Sequence, residues 1–217
     1  MKALLIFDLD GTLLNTVADL AASTNYALNQ CGFPTHETSS YKFYVGNGIN
    51  KLFERALPEG EKSPENIARI RQLFLKYYGT HKADLTTPYP GMVDLLFRLQ
   101  KAGIKLAVAS NKYQKGTEEL IHHFFPEIYF AAIFGQRENV PPKPDPTIVH
   151  DILAIVKAEK NEILYIGDSG VDMQTAQNSG IDAAGVTWGF RPKSEIEEFS
   201  PKYIVENPEE ILSIVFQ

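Results

Sequence analysis

Cysteine is almost absent from the chain, which has Cys31 as its single one among 217 residues. One thiol cannot form an intrachain disulfide, and the sequence contains no Cys/His spacing of the kind that holds structural zinc. A small secreted scaffold held together by disulfides is therefore excluded. The composition is compatible with a reducing compartment, and we expect the protein to be cytoplasmic.

Long hydrophobic runs and an excess of basic residues are also missing. Five apolar residues lie between Lys2 and Asp8, too few for the hydrophobic segment of a signal peptide and far too few to span a bilayer. Lysine and arginine total 21 against 27 aspartates and glutamates, which gives a formal net charge of −6. This balance argues against general affinity for nucleic acid or for an anionic membrane. We therefore expect the partner to be a small molecule.

The chain does contain enough apolar residues for a packed core, 44% of the total with 11% aromatic. Several short apolar runs lack alternation, which predicts strands buried on both faces of a parallel sheet. Helical patterns bounded by proline and glycine lie between them. The predicted strands are residues 3–7, 105–109, 131–134, 163–166 and 183–187, and the predicted helices are residues 92–102, 117–124, 147–157 and 173–179. This alternation predicts a doubly wound α/β fold.

Residues 16–84 break the alternation. They are predicted to form successive helices, residues 17–30, 48–57 and 64–78, because apolar residues recur at helical spacing and no convincing strand is present. Pro88 and Pro90 indicate an extended return to the sheet. We therefore expect an all-helical domain of residues 16–84, inserted into a core domain of residues 1–15 and 85–217.

The first predicted strand ends in two carboxylates at alternate positions, Asp8 and Asp10. In an extended strand, residues two apart point to the same face. Two carboxylates about 5 Å apart repel by roughly 3 kcal/mol at an effective dielectric constant of about 20. Either a cation sits between the two carboxylates or one of them keeps its proton, and phosphoryl chemistry through an aspartyl intermediate requires both conditions.

Further polar residues follow other predicted strands, where ligands bind to an open parallel sheet. Ser110 and Asn111 follow one strand, Asp168 follows another, and Lys143 lies in a proline-rich loop before a helix. Each matches a need of phosphoryl transfer. Asp8 is the candidate nucleophile, Asp8 and Asp168 are candidate ligands of a hard cation, and Asp10 is the candidate general acid and base. Lys143, Ser110 and Asn111 are candidates for binding the phosphate oxygens.

These residues, with Asp8-Leu9-Asp10-Gly11-Thr12 first and Gly167-Asp168-Ser169-x-x-Asp172 last, resemble the four motifs of the haloacid dehalogenase superfamily. The resemblance covers the whole chain. It implies a Rossmann-like core, Mg²⁺, an aspartyl-phosphate on Asp8 and a metal ligand in the backbone carbonyl of Asp10. It also implies that Asp172, with Ser169, supports the site beside Lys143, and that the helical insertion is a small cap that closes over the substrate.

The cap sequence narrows the expected substrate. Residues 44–57 look like the cap segment of phosphoglycolate phosphatases, and 2-phosphoglycolate is the best single candidate. Gly46, Asn47 and Gly48 allow close approach of backbone N–H groups to a ligand, before a helix N-terminus that favours an anion. Lys42 stands where that family often has arginine, and its ammonium lacks the bidentate fork.

Other functions use the same four motifs. A sugar-phosphate mutase would return the phosphoryl group to its substrate, and a pyrophosphatase or a 5′-nucleotidase would share the hydrolytic chemistry. A dehalogenase is disfavoured because that class lacks an acid at the position of Asp10. A non-catalytic receiver-like module that senses phosphate is the alternative from another class. It needs neither a helical insertion nor a second acid, and the chain has both.

Overall fold

The first strand of the structure is buried on both of its faces. In this computed structural model, which describes residues 1–216, Leu5 and Phe7 pack into the hydrophobic cluster on one side of the sheet. Leu4 and Ile6 pack into the cluster on the other side. Because side chains alternate along a strand, this unbroken apolar run supplies both layers of the core at once.

Short strands and helices alternate along the chain. The strands are β1 (Leu4–Phe7), β2 (Leu14–Asn15), β3 (Thr87–Pro88), β4 (Lys105–Tyr113), β5 (Ala132–Gln136), β6 (Ile163–Gly167), β7 (Asp182–Val186) and β8 (Tyr203–Val205). The helices are α1 (Val17–Gln30), α2 (Tyr41–Tyr44), α3 (Ile49–Ala56), α4 (Pro64–His81), α5 (Met92–Lys101), α6 (Gln114–Phe124), α7 (Thr147–Ile155), α8 (Gly170–Ser179), α9 (Lys193–Glu197) and α10 (Pro208–Val215). Short 3₁₀ turns occupy Thr38–Ser40 and Lys160–Glu162.

Six strands form one parallel sheet in the order β5-β4-β1-β6-β7-β8. The chain runs outward from β1 through β4 to β5, and then crosses to β6 on the other side of β1. The order therefore reverses beside β1, and a ligand crevice is expected at the carboxyl ends of these central strands. The predicted α/β class, a doubly wound Rossmann-like sheet, is confirmed.

Helices α1 to α4 pack around a third hydrophobic cluster, which includes Phe53, Phe74 and Tyr78 and is joined by Phe190 from outside these helices. The two chain segments that connect them to the sheet pair with each other, since β2 and β3 form a short antiparallel ribbon. The buried Asp19 carboxylate accepts hydrogen bonds from the backbone N–H groups of Leu85 and Thr86 and so fixes the returning segment. We call residues 16–84 the cap. Its exact bounds stay a prediction, and Gln217, the last residue of the predicted core domain, lies outside the described residues.

The expected strands and helices are present, with changes at their ends. Helix α6 begins three residues before the predicted start, and α8 begins at Gly170 instead of Met173. Strand β4 continues through Tyr113, past the expected end at Ala109, with a register shift against β5. That extension carries the polar side chains after Ala109 along the edge of the crevice.

Candidate active site

Asp8 and Lys143 form a buried ion pair at the carboxyl end of β1. The Lys143 Nζ lies 2.8 Å from the Asp8 Oδ1, and both side chains are at most one tenth exposed. Burial raises the pKa of the Asp8 carboxyl from its ordinary value of 3.8 to about 7, although Lys143 acts in the opposite direction. The lysine therefore fixes one oxygen of this carboxylate, while Oδ2 has no hydrogen-bond partner among residues 1–216.

Lys143 is held by more than one acceptor. Its Nζ also lies 2.7 Å from the Asp172 Oδ1, 2.9 Å from the Ala109 carbonyl oxygen and 3.1 Å from the Tyr165 hydroxyl oxygen. Burial alone would lower the pKa of this ammonium, but Asp172 and Asp8 outweigh burial and raise that pKa well above its usual range. Lys143 is therefore a fixed cation in the floor of the site.

Asp10 has a lysine of its own. The Lys112 Nζ lies 3.0 Å and 3.1 Å from the two Asp10 carboxylate oxygens, and the Thr16 hydroxyl donates to Oδ1 at 2.6 Å. The structure gives each of the two carboxylates an ammonium group of its own, so the predicted acid and the predicted nucleophile are held independently. The cation or retained proton expected from the repulsion between Asp8 and Asp10 stays a prediction.

Asp168 lies at the end of β6 against two glycines. The Phe190 backbone N–H donates to its Oδ2 at 2.7 Å, and a Cβ on either Gly11 or Gly189 would overlap its carboxylate or its Cβ. Burial raises the pKa of the Asp168 carboxyl well above its usual range, with Asp172 and Asp8 acting in the same direction. Backbone thus closes around this carboxylate, and only glycine permits the approach.

The cluster fits a hard divalent cation. Carboxylate oxygens of Asp8, Asp168 and Asp172 lie within 4.8 Å of one another, and an all-oxygen donor set of this charge is what Mg²⁺ prefers. Both oxygens of Asp172 are engaged, one by Lys143 and one by the Ser169 hydroxyl and backbone N–H. The Asp168 Oδ2 accepts from the Phe190 backbone N–H, and its Oδ1 has only a long contact of 3.4 Å with the Thr12 hydroxyl. Asp8 and Asp168 therefore keep more coordinating capacity than Asp172, and they are the same two that the sequence indicated.

Asp172 serves two roles at once. It lies in the first turn of α8 and forms a reciprocal capping box with Ser169, as an ordinary helix acid would. It also binds Lys143 with its other oxygen. Asp172 can therefore cap α8 and bind Lys143 at the same time, because it uses a different oxygen for each contact.

Ser110 and Asn111 lie at the far end of β4. The Ser110 Oγ accepts a hydrogen bond from the Lys112 backbone N–H, and its own proton has no acceptor among residues 1–216. The Asn111 side chain accepts from the Lys143 backbone N–H at 2.8 Å and donates to the carbonyl oxygens of Lys143 and Gly46. The Asn111 amide thus ties the Lys143 loop to the cap.

A narrow cleft separates the cap from the core. The cavity has a volume of about 30 Å³, room for about two water molecules. Its core side is lined by Asp8, Asp10, Ser110, Asn111 and Lys112, and its cap side by Leu20, Val45, Gly46, Gly48, Ile49 and Leu52. A second cavity of about 10 Å³ continues toward Lys143, Asp168 and Arg191. The cap is therefore closed, and it must move to admit a phosphorylated substrate.

Only some of the cap residues predicted to bind the substrate line the cleft. Gly46 and Gly48 have positive φ angles of 111° and 82° and line the cleft. Asn47 directs its Oδ1 to Arg55, which donates to it at 2.7 Å, and does not line the cleft. Lys42 is exposed and lines neither cavity. A ligand role for Asn47 and Lys42 therefore stays a prediction that the closed conformation does not support.

Sequence reasoning missed several residues of the site. Lys112 and Thr16 donate hydrogen bonds to Asp10, and the Tyr165 hydroxyl accepts one from Lys143. Arg191 donates to the Val45 carbonyl oxygen at 3.0 Å and so fastens the core to the cap. One signal was available: Lys112 follows Ser110 by two positions, so an extended β4 turns both side chains to one face.

The chain matches the family described as Haloacid dehalogenase-like hydrolase over residues 5–186, and it belongs to that family. The expected enzyme class, a hydrolase, is confirmed. It is 31% identical to the phosphoglycolate phosphatase of Mesorhizobium japonicum, over 95% of this chain and 91% of the relative. It is 32% identical to the phosphoglycolate phosphatase of Psychrobacter arcticus, over 92% of this chain and 90% of that relative. The crystal structure of a predicted phosphoglycolate phosphatase from Haemophilus somnus superposes with a TM-score of 0.91 at 29% identity, covering 98% of this chain and 97% of that one.

Within the part of the chain that the structure describes, none of the helices combines the length and the hydrophobicity that a bilayer crossing requires.

Proposed function

We propose that this protein is a Mg²⁺-dependent phosphatase that hydrolyses a small phosphorylated metabolite, with 2-phosphoglycolate as the best-supported substrate. The observation that carries the proposal is the pairing of two carboxylates with two separate lysines, Asp8 with Lys143 and Asp10 with Lys112. One carboxylate is then available as a nucleophile and the other as a proton carrier, which is the division of labour that an aspartyl-phosphate mechanism requires.

In the first step, the Asp8 Oδ2 attacks phosphorus. Lys143 holds Oδ1 and leaves this second oxygen free. The bond from phosphorus to the leaving-group oxygen breaks, and a protonated Asp10 delivers its proton to that oxygen. The products are a phosphoryl group bound to Asp8 and a neutral hydroxyl on the departing molecule.

In the second step, water replaces the leaving group. Asp10, now a carboxylate, accepts a proton from the water as its oxygen bonds to phosphorus. The bond between phosphorus and the Asp8 oxygen then breaks, and inorganic phosphate is released. Thr16 and Lys112 orient Asp10 during both steps, and the free hydroxyl of Ser110 is available to a phosphate oxygen.

The metal would be held by Asp8, Asp168 and the Asp10 backbone carbonyl. When bound, Mg²⁺ offsets the repulsion between an anionic nucleophile and an anionic phosphate. Gly11 and Gly189 leave Asp168 little freedom to turn away from that position. Asp172 and Ser169 act through Lys143 and the start of α8.

The apolar cap wall supports a small acid. The cleft is walled on the cap side by apolar side chains, Leu20, Ile49 and Leu52 among them. A hexose would leave several hydroxyl groups without hydrogen-bond partners there, at a cost of about 1–3 kcal/mol each. This weighs against the sugar-phosphate mutase alternative. The names of the relatives favour 2-phosphoglycolate as well.

A screen with Mg²⁺ across small phosphorylated acids, sugar phosphates, nucleotides and pyrophosphate, ranked by kcat/KM, tests the proposal. We expect 2-phosphoglycolate to rank first and Asp8→Asn to abolish turnover while far-ultraviolet circular dichroism stays unchanged. A hexose 1-phosphate converted to its 6-phosphate would identify a mutase instead. Phosphate release from no substrate would overturn the proposal and favour a receiver-like role.

A further inference from the structure

We propose that Lys112 selects substrates whose leaving group carries a carboxylate, by binding that carboxylate with its ammonium group. The inference rests on the proposed phosphatase function and adds the residue that reads the leaving group. The sequence indicated only cap residues for this task, Lys42 and residues 46–48. Lys112 instead belongs to the core, near the end of β4.

Lys112 lies where the leaving group of the substrate must sit. Lys112 lines the same cleft as Asp8 and Asp10, and its side chain is only 2% exposed. Its Nζ contacts both oxygens of Asp10, the residue that must touch the leaving-group oxygen. A charged group one or two bonds beyond that oxygen would therefore lie within reach of the same ammonium.

Lys112 also has hydrogen-bonding capacity to spare. An ammonium group has three N–H donors, and within residues 1–216 the Lys112 Nζ donates to the two oxygens of the Asp10 carboxylate. Its other neighbour is the ring of Tyr78 on α4, with the centroid at 5.0 Å. Lys143, in contrast, already contacts four acceptors. A donor remains on Lys112 for an additional anion, and none remains on Lys143.

The nearby arginines donate to groups of the cap. Arg55 donates to the Tyr44 carbonyl oxygen at 2.9 Å and to Asn47. Arg191 donates to the Val45 carbonyl oxygen and lines the second cavity, not the first. Among residues 1–216, Lys112 is therefore the cation that both lines the first cavity and keeps a free donor.

Among the residues that the structure describes, the rest of the cleft wall offers no charged partner on its cap side. The cap contributes the apolar side chains of Leu20, Val45, Ile49 and Leu52 to the cleft. An anion enclosed by such a wall is strongly unfavourable unless a charged partner is present. A short acid, with its carboxylate next to the phosphoester carbon, would meet that partner in Lys112. A neutral leaving group would gain nothing from it.

The test compares an acid with a neutral substrate of similar size, 2-phosphoglycolate with ethyl phosphate. Lys112→Gln removes the charge but keeps an N–H donor for Asp10. We expect it to lower the ratio of the two kcat/KM values by about 10- to 100-fold, the worth of one hydrogen bond to a charged group. The loss should appear mainly in KM for 2-phosphoglycolate, and Lys112→Arg should restore part of the ratio.

A role that is only structural gives a different result. If Lys112 merely orients Asp10, Lys112→Gln will reduce kcat/KM for both substrates by the same factor and leave the ratio unchanged, which overturns the inference. Thermal unfolding monitors folding of each variant, and Lys112→Met provides a second uncharged side chain.

Equilibrium binding separates this inference from the proposed function. Calorimetry with Mg²⁺ compares Asp8→Asn with the double variant Asp8→Asn and Lys112→Gln, using the same two phosphate esters. We expect the double variant to lose its preference for 2-phosphoglycolate, whether or not the wild-type protein turns either ester over. An equal affinity ratio in the two proteins would overturn the role of Lys112. If the wild-type protein turned over neither ester while Asp8→Asn preferred 2-phosphoglycolate and the double variant did not, only the proposed phosphatase function would be overturned.

Discussion

The Lys143 Nζ lies 2.8 Å from the Asp8 Oδ1 and fixes the proposed nucleophile from beneath the cleft. The same ammonium neutralises Asp172 on the opposite side. Lys143 is therefore the common cation of two buried carboxylates, and its removal would leave both of them without a partner.

Lys143→Met should destabilise the protein by about 3–5 kcal/mol, because removing one member of a buried ion pair leaves an uncompensated charge. Urea unfolding with EDTA measures this change. Lys105→Met, an exposed lysine on the same strand as Ser110, is the matched control and should change the free energy of unfolding by less than about 0.5 kcal/mol. A loss below about 1 kcal/mol for Lys143→Met would contradict the role of Lys143 as the shared cation.

Gly189→Ala should weaken Mg²⁺ binding at least tenfold. The added Cβ would overlap the Asp168 Cβ and carboxylate, so the ligand must shift, and Mg²⁺ demands near-ideal geometry. Calorimetric titration with Mg²⁺ measures the affinity. Gly79→Ala in α4, where a Cβ meets nothing within 4 Å, is the control and should leave it unchanged. Unaltered affinity in Gly189→Ala would show that Asp168 does not bind the metal.

The raised pKa of Asp8 predicts how metal-free stability depends on pH. A carboxyl with a folded-state pKa of about 7, against 3.8 unfolded, binds its proton more tightly in the folded state. Its contribution to stability is complete below about pH 3.8 and is lost as pH rises toward 7. Asp8→Asn cannot lose that contribution. We therefore expect the stability of Asp8→Asn relative to wild type to increase between pH 5 and 7 and to level off above, in urea unfolding with EDTA.

The raised pKa of Asp8 also predicts how the affinity for Mg²⁺ depends on pH. Protons compete with Mg²⁺ for Asp8, so the affinity of the wild-type protein should fall as pH is lowered through about 7. A stability difference that stays constant from pH 5 to 8 would contradict both expectations.

Arg191 joins the core to the cap and should control closure. Its guanidinium donates to the Val45 carbonyl oxygen and lies 5.8 Å from the centroid of the Phe43 ring. Arg191→Ala should reduce kcat/KM by about tenfold, the effect of one charge-assisted hydrogen bond, and should speed hydrogen exchange in residues 43–49. Arg98→Ala, which removes a surface ion pair with Glu209, is the control. Unchanged exchange in Arg191→Ala would exclude a role for this contact in closure.

The sequence predicted the sheet because its strands are unbroken apolar runs, and it predicted Asp8, Asp168 and Lys143 because they follow strands or precede a helix at the sheet's carboxyl edge. It did not predict β8, whose three residues are too few for a periodic pattern. Lys112 was missed for another reason. A lysine after a strand is usually solvated, whereas here Lys112 is buried and its neighbours, Asp10 and the ring of Tyr78 on the cap, are far from it in the chain.

Detection of the phosphorylated protein tests most directly the central claim, that Asp8 is the nucleophile and Asp10 the acid and base. Asp10→Asn should still accept the phosphoryl group on Asp8 but hydrolyse it at least 100-fold more slowly, because the base that activates water is lost. Acid quenching after mixing with 2-phosphoglycolate and Mg²⁺, followed by mass spectrometry, should find one phosphoryl group on the peptide that contains Asp8. Wild-type turnover without any phosphorylated protein in Asp10→Asn would contradict the account.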